Sequence, residues 1–315
     1  MTRQRAVALV VVLIGALLLG TGAIAAMGDP APAPPAIPTT PEEYAALPPP
    51  GANDWACRPS AAHPRPVVLV HGLGATMAEN WYYLSPQIKA AGYCVFALTY
   101  GARPDVPYFG GVLPMEQSAE QLDAFVHRVL DATGASQVDL VGHSEGTVMP
   151  QWWLKELGGA ALTHAYVAMT PLYQGTTLGG FTALFDLASA SIPGWREGAD
   201  GFSTATCGSC LEFFPGSDFS RRLYGDGVIA APGVTYTTIM TRFDEVVTPY
   251  TSGYLDDPHA TNIVIQDLCP LHLDDHVAVA ADPLVARLIL NALDPAHAVA
   301  PSCGTVGLGL GPLVL

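Results

Sequence analysis

The sequence predicts an α/β fold, with a doubly wound, mostly parallel sheet and helices on both of its faces. Two observations predict it. Short, almost wholly apolar runs, as found in strands buried on both faces, alternate with longer runs of helical periodicity. One such run also leads directly into Gly142-His143-Ser144-Glu145-Gly146, and a helix-compatible stretch follows. Alternating strands and helices join through right-handed crossovers into a parallel sheet.

The first half of the predicted domain contains two strands and two helices. Residues 66–70 form a wholly apolar strand that runs into His71-Gly72-Leu73-Gly74. A helix is predicted over 78–91, where a glycine follows, and a second strand over 93–98. Residues 115–133 carry apolar side chains at helical spacing, and a glycine again ends the pattern.

The second half continues the alternation after the Gly-x-Ser-x-Gly turn. The predicted elements are a strand over 138–141, a helix over 147–157, strands over 165–169, 234–241 and 262–266, and a helix over 283–293. Residues 171–232 interrupt this rhythm with an apolar segment over 178–190 and several Gly and Pro breaks. At this position such a stretch is expected to cap the site, with a structured surface excursion as the alternative.

Length and charge limit the class of protein. Half of the 315 residues are apolar, enough to bury the core of one α/β domain of about 250 residues. The net charge is −15, from 13 basic and 28 acidic residues. Since no basic stripe is present to neutralise phosphates, a nucleic-acid partner is not expected. The oligomeric state stays open.

The N-terminal residues 1–25 have the pattern of a secretory signal peptide. Two arginines precede an apolar run over 6–26, and Ala23-Ile24-Ala25 offers small residues at a cleavage site. We therefore expect a secreted, extracellular protein. The run of about 21 residues is also long enough to span a bilayer, so an uncleaved N-terminal membrane anchor is the alternative.

Residues 26–56 are rich in proline and alanine. Nine prolines lie between positions 29 and 50, a composition that cannot build a core and predicts a semi-extended linker. The folded domain is then expected over 57–315, beginning near Trp55 and Cys57.

Six cysteines in a chain with an export signal predict disulfide bonds. The Cys-Gly-Ser-Cys segment over 207–210 also has the spacing of a redox or metal motif. Because no second pair accompanies it, a small structural loop is the preferred interpretation. Chain order favours the pairs Cys57–Cys94, Cys207–Cys210 and Cys269–Cys303.

Ser144 is the predicted nucleophile. A strand that breaks into a helix over one sharp turn lifts the central serine clear of the sheet edge, and the flanking glycines allow strand and helix to approach closely. The alternative is a loop serine that happens to lie between glycines. The strand before the motif and the helix after it favour catalysis.

A serine hydroxyl needs a base, and the base needs an acid that orients it. Asp244 directly follows the strand predicted over 234–241 and is the preferred acid, with Glu245 as its local rival and a surface ion pair with Arg242 as the structural alternative. His272 and His276 both follow the last strand. His276 is preferred as the base because the apolar run after it should hold it close to the core.

An oxyanion needs two backbone N–H donors. Glu145 follows the nucleophile and provides one, and Leu73, in the loop after the first strand, is the candidate for the other. A metal-ligand role for His71 is disfavoured because no partner ligands lie at zinc spacing. Neither a metal nor an organic cofactor is expected.

Together these segments resemble the secreted lipases of actinobacteria, within the α/β-hydrolase superfamily, over most of residues 57–303. The resemblance implies hydrolysis of acylglycerols or similar lipid esters outside the cell, without an organic cofactor, and it supports Ser144, Asp244 and His276 as the triad. It rests on the segments Val68–Gly72, Gly92–Leu98, Gly142–Gly146, Phe243–Tyr250 and Asp275-His276.

We therefore expect a secreted carboxylic-ester hydrolase, a triacylglycerol lipase or esterase, that works through an acyl-enzyme. Its expected partners are a lipid or other ester substrate and, transiently, a lipid interface. A polyesterase and an acyltransferase share the same triad and are the enzymatic alternatives. A catalytically silent hydrolase-fold binding module is the alternative from another class, and it normally requires a damaged triad.

Overall fold

The computed structural model describes residues 38–303, with side chains at all of these positions except 181, 184 and 202–204. Six strands form one sheet in the order β2-β1-β3-β4-β5-β6, and all five pairings are parallel. The predicted parallel α/β fold is therefore confirmed. The strands are β1 (Val67–Val70), β2 (Val95–Leu98), β3 (Val138–His143), β4 (Thr163–Met169), β5 (Thr235–Met240) and β6 (Ala260–Val264).

Helices cover both faces of this sheet. The α-helices are α1 (Pro41–Ala45), α2 (Met77–Trp81), α3 (Leu84–Ala90), α4 (Met115–Thr133), α5 (Met149–Glu156), α6 (Phe181–Ser191), α7 (Trp195–Thr206), α8 (Asp218–Tyr224), α9 (Ile265–Leu268) and α10 (Pro283–Leu293). Alternate side chains of each strand enter opposite cores, as the period of two requires. Val68 and Val70 pack in the core that contains α4 and α5, whereas Val67 and Leu69 pack in the core that contains α3 and α10.

The helix expected over 78–91 is two helices, α2 and α3. Thr76 caps α2 through a capping box with Glu79. Pro86 lies in the first turn of α3 and has no N–H to donate to the carbonyl of Tyr82 four residues earlier. A continuous helix would lose that hydrogen bond, and the chain starts a new helix at Leu84.

Residues 38–56, which composition assigns to the linker, pack against the domain. The side chain of Asn53 pairs with the free edge of β2, donating to the carbonyl of Ala97 at 2.9 Å and accepting from its N–H at 2.8 Å. Ser85 Oγ donates to the carbonyl of Pro50 at 2.9 Å. Residues 38–56 therefore belong to the same compact unit as the sheet. The segment is held by polar pairing with an edge strand, a contact that its composition does not reveal.

The predicted signal or anchor over 1–25, residues 26–37 of the linker and the last twelve residues lie outside the described residues. Within 38–303, no helix is both long enough and apolar enough to cross a membrane.

Three disulfide bonds join the six cysteines in the pairs that chain order favours. Cys57–Cys94 fastens the N-terminal segment beside β2. Cys207–Cys210 closes the short loop after α7, as the structural interpretation of that segment requires. Cys269–Cys303 joins the loop after α9 to the C-terminal segment that follows α10.

Candidate active site

The turn after β3 places Ser144 in strained backbone geometry. Its φ is +55°, in the left-handed region that residues with a Cβ atom seldom adopt. A Cβ atom on Gly142 would lie 1.9 Å from the carbonyl oxygen of Gly146, and one on Gly146 would lie 2.1 Å from that of Val70. Both positions must therefore be glycine for the strand and the following helical turn to approach each other.

Ser144, His276 and Asp244 form a continuous chain of contacts. Ser144 Oγ lies 2.8 Å from Nε2 of His276, whose Nδ1 lies 3.0 and 3.1 Å from the two carboxylate oxygens of Asp244. An ionised carboxylate can only accept, so Nδ1 carries the proton and Nε2 is free to accept from the serine hydroxyl. This is the arrangement in which an imidazole can act as a base toward a serine.

Asp244 is held in place by the loop after β5. Its Oδ1 accepts hydrogen bonds from the N–H groups of Val246 at 3.0 Å and Val247 at 2.7 Å. Glu245, the local rival, instead accepts from the backbone N–H of His276 at 3.3 Å. Arg242 pairs with Asp267, so the surface ion pair between Arg242 and Asp244 does not form.

The two histidines of the loop after α9 have different surroundings, although both are buried. His276 contacts the serine. His272 lies instead against Asp274 and Asp282, with Nε2 at 2.9 and 3.3 Å from their carboxylate oxygens. Of the two, only His276 has a nitrogen at hydrogen-bond distance from Ser144 among the described contacts.

The loop after β1 passes directly over the serine. A Cβ atom on Gly72 would lie 3.0 Å from the Cβ of Ser144. The N–H of Gly72 is already used, since it donates to Oδ1 of Asn80 at 2.9 Å. The N–H of Leu73 has no acceptor within residues 38–303, so it can donate to a bound group. This geometry supports Leu73, rather than Gly72, as the second donor beside Glu145.

The ring of His71 holds the loop after β1 in place through both of its nitrogens. Its Nε2 accepts from the N–H of Tyr100 at 3.2 Å, so the proton is on Nδ1, which donates to the carbonyl of Gly72 at 2.8 Å. Burial lowers the pKa of His71 to about 4. A neutral imidazole with both nitrogens engaged stabilises the loop and takes no proton from a substrate.

An apolar cavity of about 590 Å³ opens at the serine. Leu73, Ser144 and His276 lie on one side, and residues of α6, α7 and the 207–214 segment cover the other. The stretch over 171–232, for which the sequence predicts a cap, supplies most of the residues that line this cavity. Another cavity of about 610 Å³ lies beneath the N-terminal segment, but no serine, cysteine or histidine lines it.

The fold and the serine turn agree with a known family. The model of the lipase (class 2) family matches residues 64–288, which span the sheet from β1 into α10. The chain belongs to the class 2 lipase family.

Individual relatives match smaller parts of this chain. A triacylglycerol lipase from Pseudarthrobacter phenanthrenivorans is 37% identical over 93 residues, 27% of each chain, so the match spans about a quarter of that protein. Lipase B from Aspergillus fumigatus has a TM-score of 0.58 at 20% identity, over 81% of this chain and 57% of that one. The mature lipase BlEst2 from Bacillus licheniformis has a TM-score of 0.54 at 17% identity, over 75% of this chain and 94% of that one. Both solved structures have the same fold as this chain.

His143, the residue before the serine, is a site residue that the motif alone did not reveal. Its Nε2 lies 2.8 Å from the backbone carbonyl of His276, and its Nδ1 lies 2.9 Å from Oδ1 of Asn80. Burial, and secondarily His276, lowers the pKa of His143 to about 3. A neutral ring can donate to only one of these two acceptors. This contact joins β3 to the backbone of His276, which lies 133 positions later in the chain, so the local motif could not predict it.

Glu145, the other predicted oxyanion donor, carries a carboxyl group in an unusual position. The side chain is fully buried, and neither carboxyl oxygen has a hydrogen-bond partner within the described residues. Burial, with a contribution from Glu212, raises the pKa of Glu145 well above its ordinary value. The group is therefore held in its neutral form, since an unpaired buried carboxylate is costly.

Replacing Glu145 by glutamine should remove a pH dependence of stability. Above the ordinary glutamate pKa, the unfolded chain loses a proton that the native state keeps, so the free energy of unfolding falls as pH rises toward the raised pKa. The loss is about 1.4 kcal/mol per pH unit for one proton. Urea unfolding at several pH values from 5 to 8 should give a smaller decline for Glu145→Gln than for the wild type.

The matched control is Glu120→Gln, which changes an exposed glutamate on α4. It should follow the wild-type decline. Equal declines for Glu145→Gln and the wild type would contradict a neutral Glu145.

Proposed function

We propose that this class 2 lipase is a carboxylic-ester hydrolase with Ser144, His276 and Asp244 as its catalytic triad. The observation that carries the proposal is the chain of contacts from Ser144 Oγ through His276 to Asp244, at 2.8 and 3.0 Å, on the wall of an apolar cavity. Membership of the lipase family supports the same reaction class.

In the proposed reaction, Ser144 Oγ attacks the acyl carbonyl while Nε2 of His276 takes its proton. Asp244 keeps the proton on Nδ1 and stabilises the imidazolium that forms. The N–H groups of Leu73 and Glu145 bind the oxyanion of the tetrahedral intermediate. His276 then protonates the leaving alcohol, and an acyl-enzyme remains. Water, activated by His276, attacks the acyl-enzyme and releases the acid.

The cavity indicates an acyl chain as the group that is bound. Leu172, Phe185 and Phe213 line it, and among the described residues no aspartate, glutamate, lysine or arginine does. Apolar surface buried on binding contributes up to about 0.8 kcal/mol per methylene, so an acyl chain that fills the cavity is favoured over acetate. Acylglycerols are therefore the proposed substrates, in keeping with the name of the Pseudarthrobacter relative.

Large apolar side chains around the cap support transient contact with a lipid interface. Leu187, Ile192 and Trp195 on the cap are 62%, 49% and 43% exposed, and Val277, beside the base, is 64% exposed. Trp195 and Val277 also line the cavity, so this apolar surface is continuous with the acyl site.

A panel of p-nitrophenyl esters with acyl chains of two to sixteen carbons tests the proposed substrate class. We expect kcat/KM to rise at least about tenfold from acetate to octanoate, because each added methylene enters the cavity. Ala199→Trp, which fills the cavity from α7, should reduce hydrolysis of octanoate more than that of acetate. Ala190→Trp, on the exposed surface of α6, is the matched control and should keep the wild-type profile.

Two results of this panel would count against the proposal. The absence of turnover with every ester would remove the hydrolase assignment. Hydrolysis of acetate alone, with a profile that Ala199→Trp leaves unchanged, would keep the reaction but exclude the cavity as the acyl site.

We also propose that the mature protein works outside the cell. The export pattern of residues 1–25 and the three disulfide bonds support this location, since disulfides persist in oxidising compartments. N-terminal sequencing of protein collected from the culture medium should give a chain that starts close to residue 26. Recovery of the uncleaved chain in the membrane fraction would favour the anchor instead.

A further inference from the structure

Three side chains near the base form a buried cluster that the proposed mechanism does not use. Nε2 of His272 lies 2.9 Å from Oδ2 of Asp274 and 3.3 Å from Oδ2 of Asp282. The side chains of His272 and Asp274 are each 6% exposed and that of Asp282 is 11% exposed. Two carboxyl groups and an imidazole thus share a site that is nearly closed to water.

The facing atoms of this cluster lack partners despite their short separations. Within the described residues, Nε2 of His272 and Oδ2 of Asp274 are both buried without a hydrogen bond, because the contact between them does not have hydrogen-bond geometry. Buried polar atoms without a partner are costly and are rare in folded proteins. Here two of them belong to adjacent groups that lie around the same point, where a single bound ligand would satisfy both.

We propose that His272, Asp274 and Asp282 form a site for a divalent cation of the zinc class. One imidazole nitrogen and two carboxylate oxygens, all within 4.8 Å of one another, are a donor set that Zn²⁺ prefers. Ligands at about 2.0–2.2 Å in a tetrahedron lie about 3.3 Å apart, close to the two observed separations. Ca²⁺ and Mg²⁺ prefer all-oxygen sites with more ligands, so both should bind more weakly.

Asp282 is oriented toward the cluster by its position before α10. Its Oδ1 accepts from the N–H of Val285 at 2.9 Å and caps the helix, which leaves Oδ2 for the cluster. A carboxylate fixed through one oxygen presents the other at a constant position, as a metal ligand requires.

The backbone of the other two ligands is held by one hydrogen-bond network. Nε2 of Gln266 donates to the carbonyl of His272 at 3.0 Å and to Oγ1 of Thr241 at 2.9 Å, and Thr241 Oγ1 donates to the carbonyl of Asp274 at 2.7 Å. These contacts do not involve the ligand side chains, so the site is already assembled without a cation. A bound cation would fasten the loop that carries His276 to the start of α10.

The sequence did not predict this site. The histidine considered there as a zinc ligand was His71, which has no partner ligands at zinc spacing. His272 and Asp274 are two residues apart, but Asp282 joins them only because the 3₁₀ turn over Ala278–Ala281 brings the chain back to the start of α10.

Metal binding by the full chain tests the proposal without reference to esterase activity. The chelator-treated protein should bind about one zinc ion in titration calorimetry and keep it through desalting for elemental analysis. Free zinc at about 100 times Kd should raise Tm by roughly 5–10 °C. Co²⁺ bound at the same site should show the intense visible absorption of tetrahedral coordination.

Two variants remove ligands without removing the supporting contacts. His272→Ala keeps the backbone carbonyl to which Gln266 donates, and Asp282→Asn keeps an oxygen that can cap α10. Each should weaken zinc binding by at least about 100-fold and lose the increase in Tm. His297→Ala is the matched control. It removes an exposed histidine that pairs with Asp294 beyond the opposite, C-terminal end of α10, and this variant should bind zinc like the wild type.

Three results would overturn the proposal. Absence of zinc binding by the wild-type protein would leave the cluster as a buried ion triad. Equal zinc binding by the wild type and folded His272→Ala or Asp282→Asn would place the metal elsewhere. An equal increase in Tm with Ca²⁺ or Mg²⁺ would exclude a site of the zinc class.

Discussion

Replacing Ser144 by alanine is expected to lower kcat by roughly 10⁶-fold while the fold stays intact. The substitution removes the only atom that attacks the acyl carbonyl in the proposed reaction. It adds no backbone strain, because serine and alanine both carry a Cβ atom at the observed φ of +55°. Hydrolysis of p-nitrophenyl esters measures the loss, and a thermal melt of the same sample checks the fold.

The control for this variant is Ser189→Ala. Ser189 lies on α6 in the cap and donates to the carbonyl of Phe185, outside the lining of the cavity. It should retain near wild-type turnover. A folded Ser144→Ala protein with near wild-type turnover would remove Ser144 as the nucleophile.

Replacing His276 by alanine is expected to abolish activity almost as completely, because triad members act as a unit. His272→Ala should lose about tenfold or less, since its ring contacts Asp274 and Asp282 instead of the serine. The double variant Ser144→Ala with His276→Ala should be no less active than either single one. Steady-state turnover of the wild type and the four variants measures these differences. A thermal melt of each checks its fold.

The opposite order of activities for the two histidine variants would change the assignment of the base. An inactive His272→Ala together with an active His276→Ala would move the base four residues upstream and leave Ser144 unaffected. It would also contradict the geometry in which Nε2 of His276 lies 2.8 Å from Ser144 Oγ.

Local sequence patterns determined several elements to the residue. The helices over 115–133 and 283–293 have the observed bounds of α4 and α10. Gly134 ends the first in the left-handed conformation, and Asp282 with Pro283 starts the second with a side-chain cap and a fixed φ. Such signals depend only on neighbouring residues, so a single sequence is enough to interpret them.

The composition of residues 26–56 was less informative. Proline and alanine indicate a stretch that cannot form a core of its own, and this does not exclude packing against another core. The contact of Asn53 with the edge of β2 depends on a strand more than forty residues later in the chain. A linker boundary is therefore a tertiary property wherever an unpaired sheet edge is available.

The sequence by itself predicted the α/β class, the serine turn, Ser144, Asp244 as the preferred acid and two candidate histidines, with His276 preferred. Each lies at the end of a predicted strand or in the loop after it, where parallel strands bring functional groups together. Only the tertiary structure shows which of the two rings contacts the serine. The two are four residues apart in one loop, and no local pattern specifies which ring reaches a serine 132 positions earlier. Which ring does so depends on the path of the loop between α9 and α10. This loop contacts His143 of β3, Thr241 after β5, and Asp282.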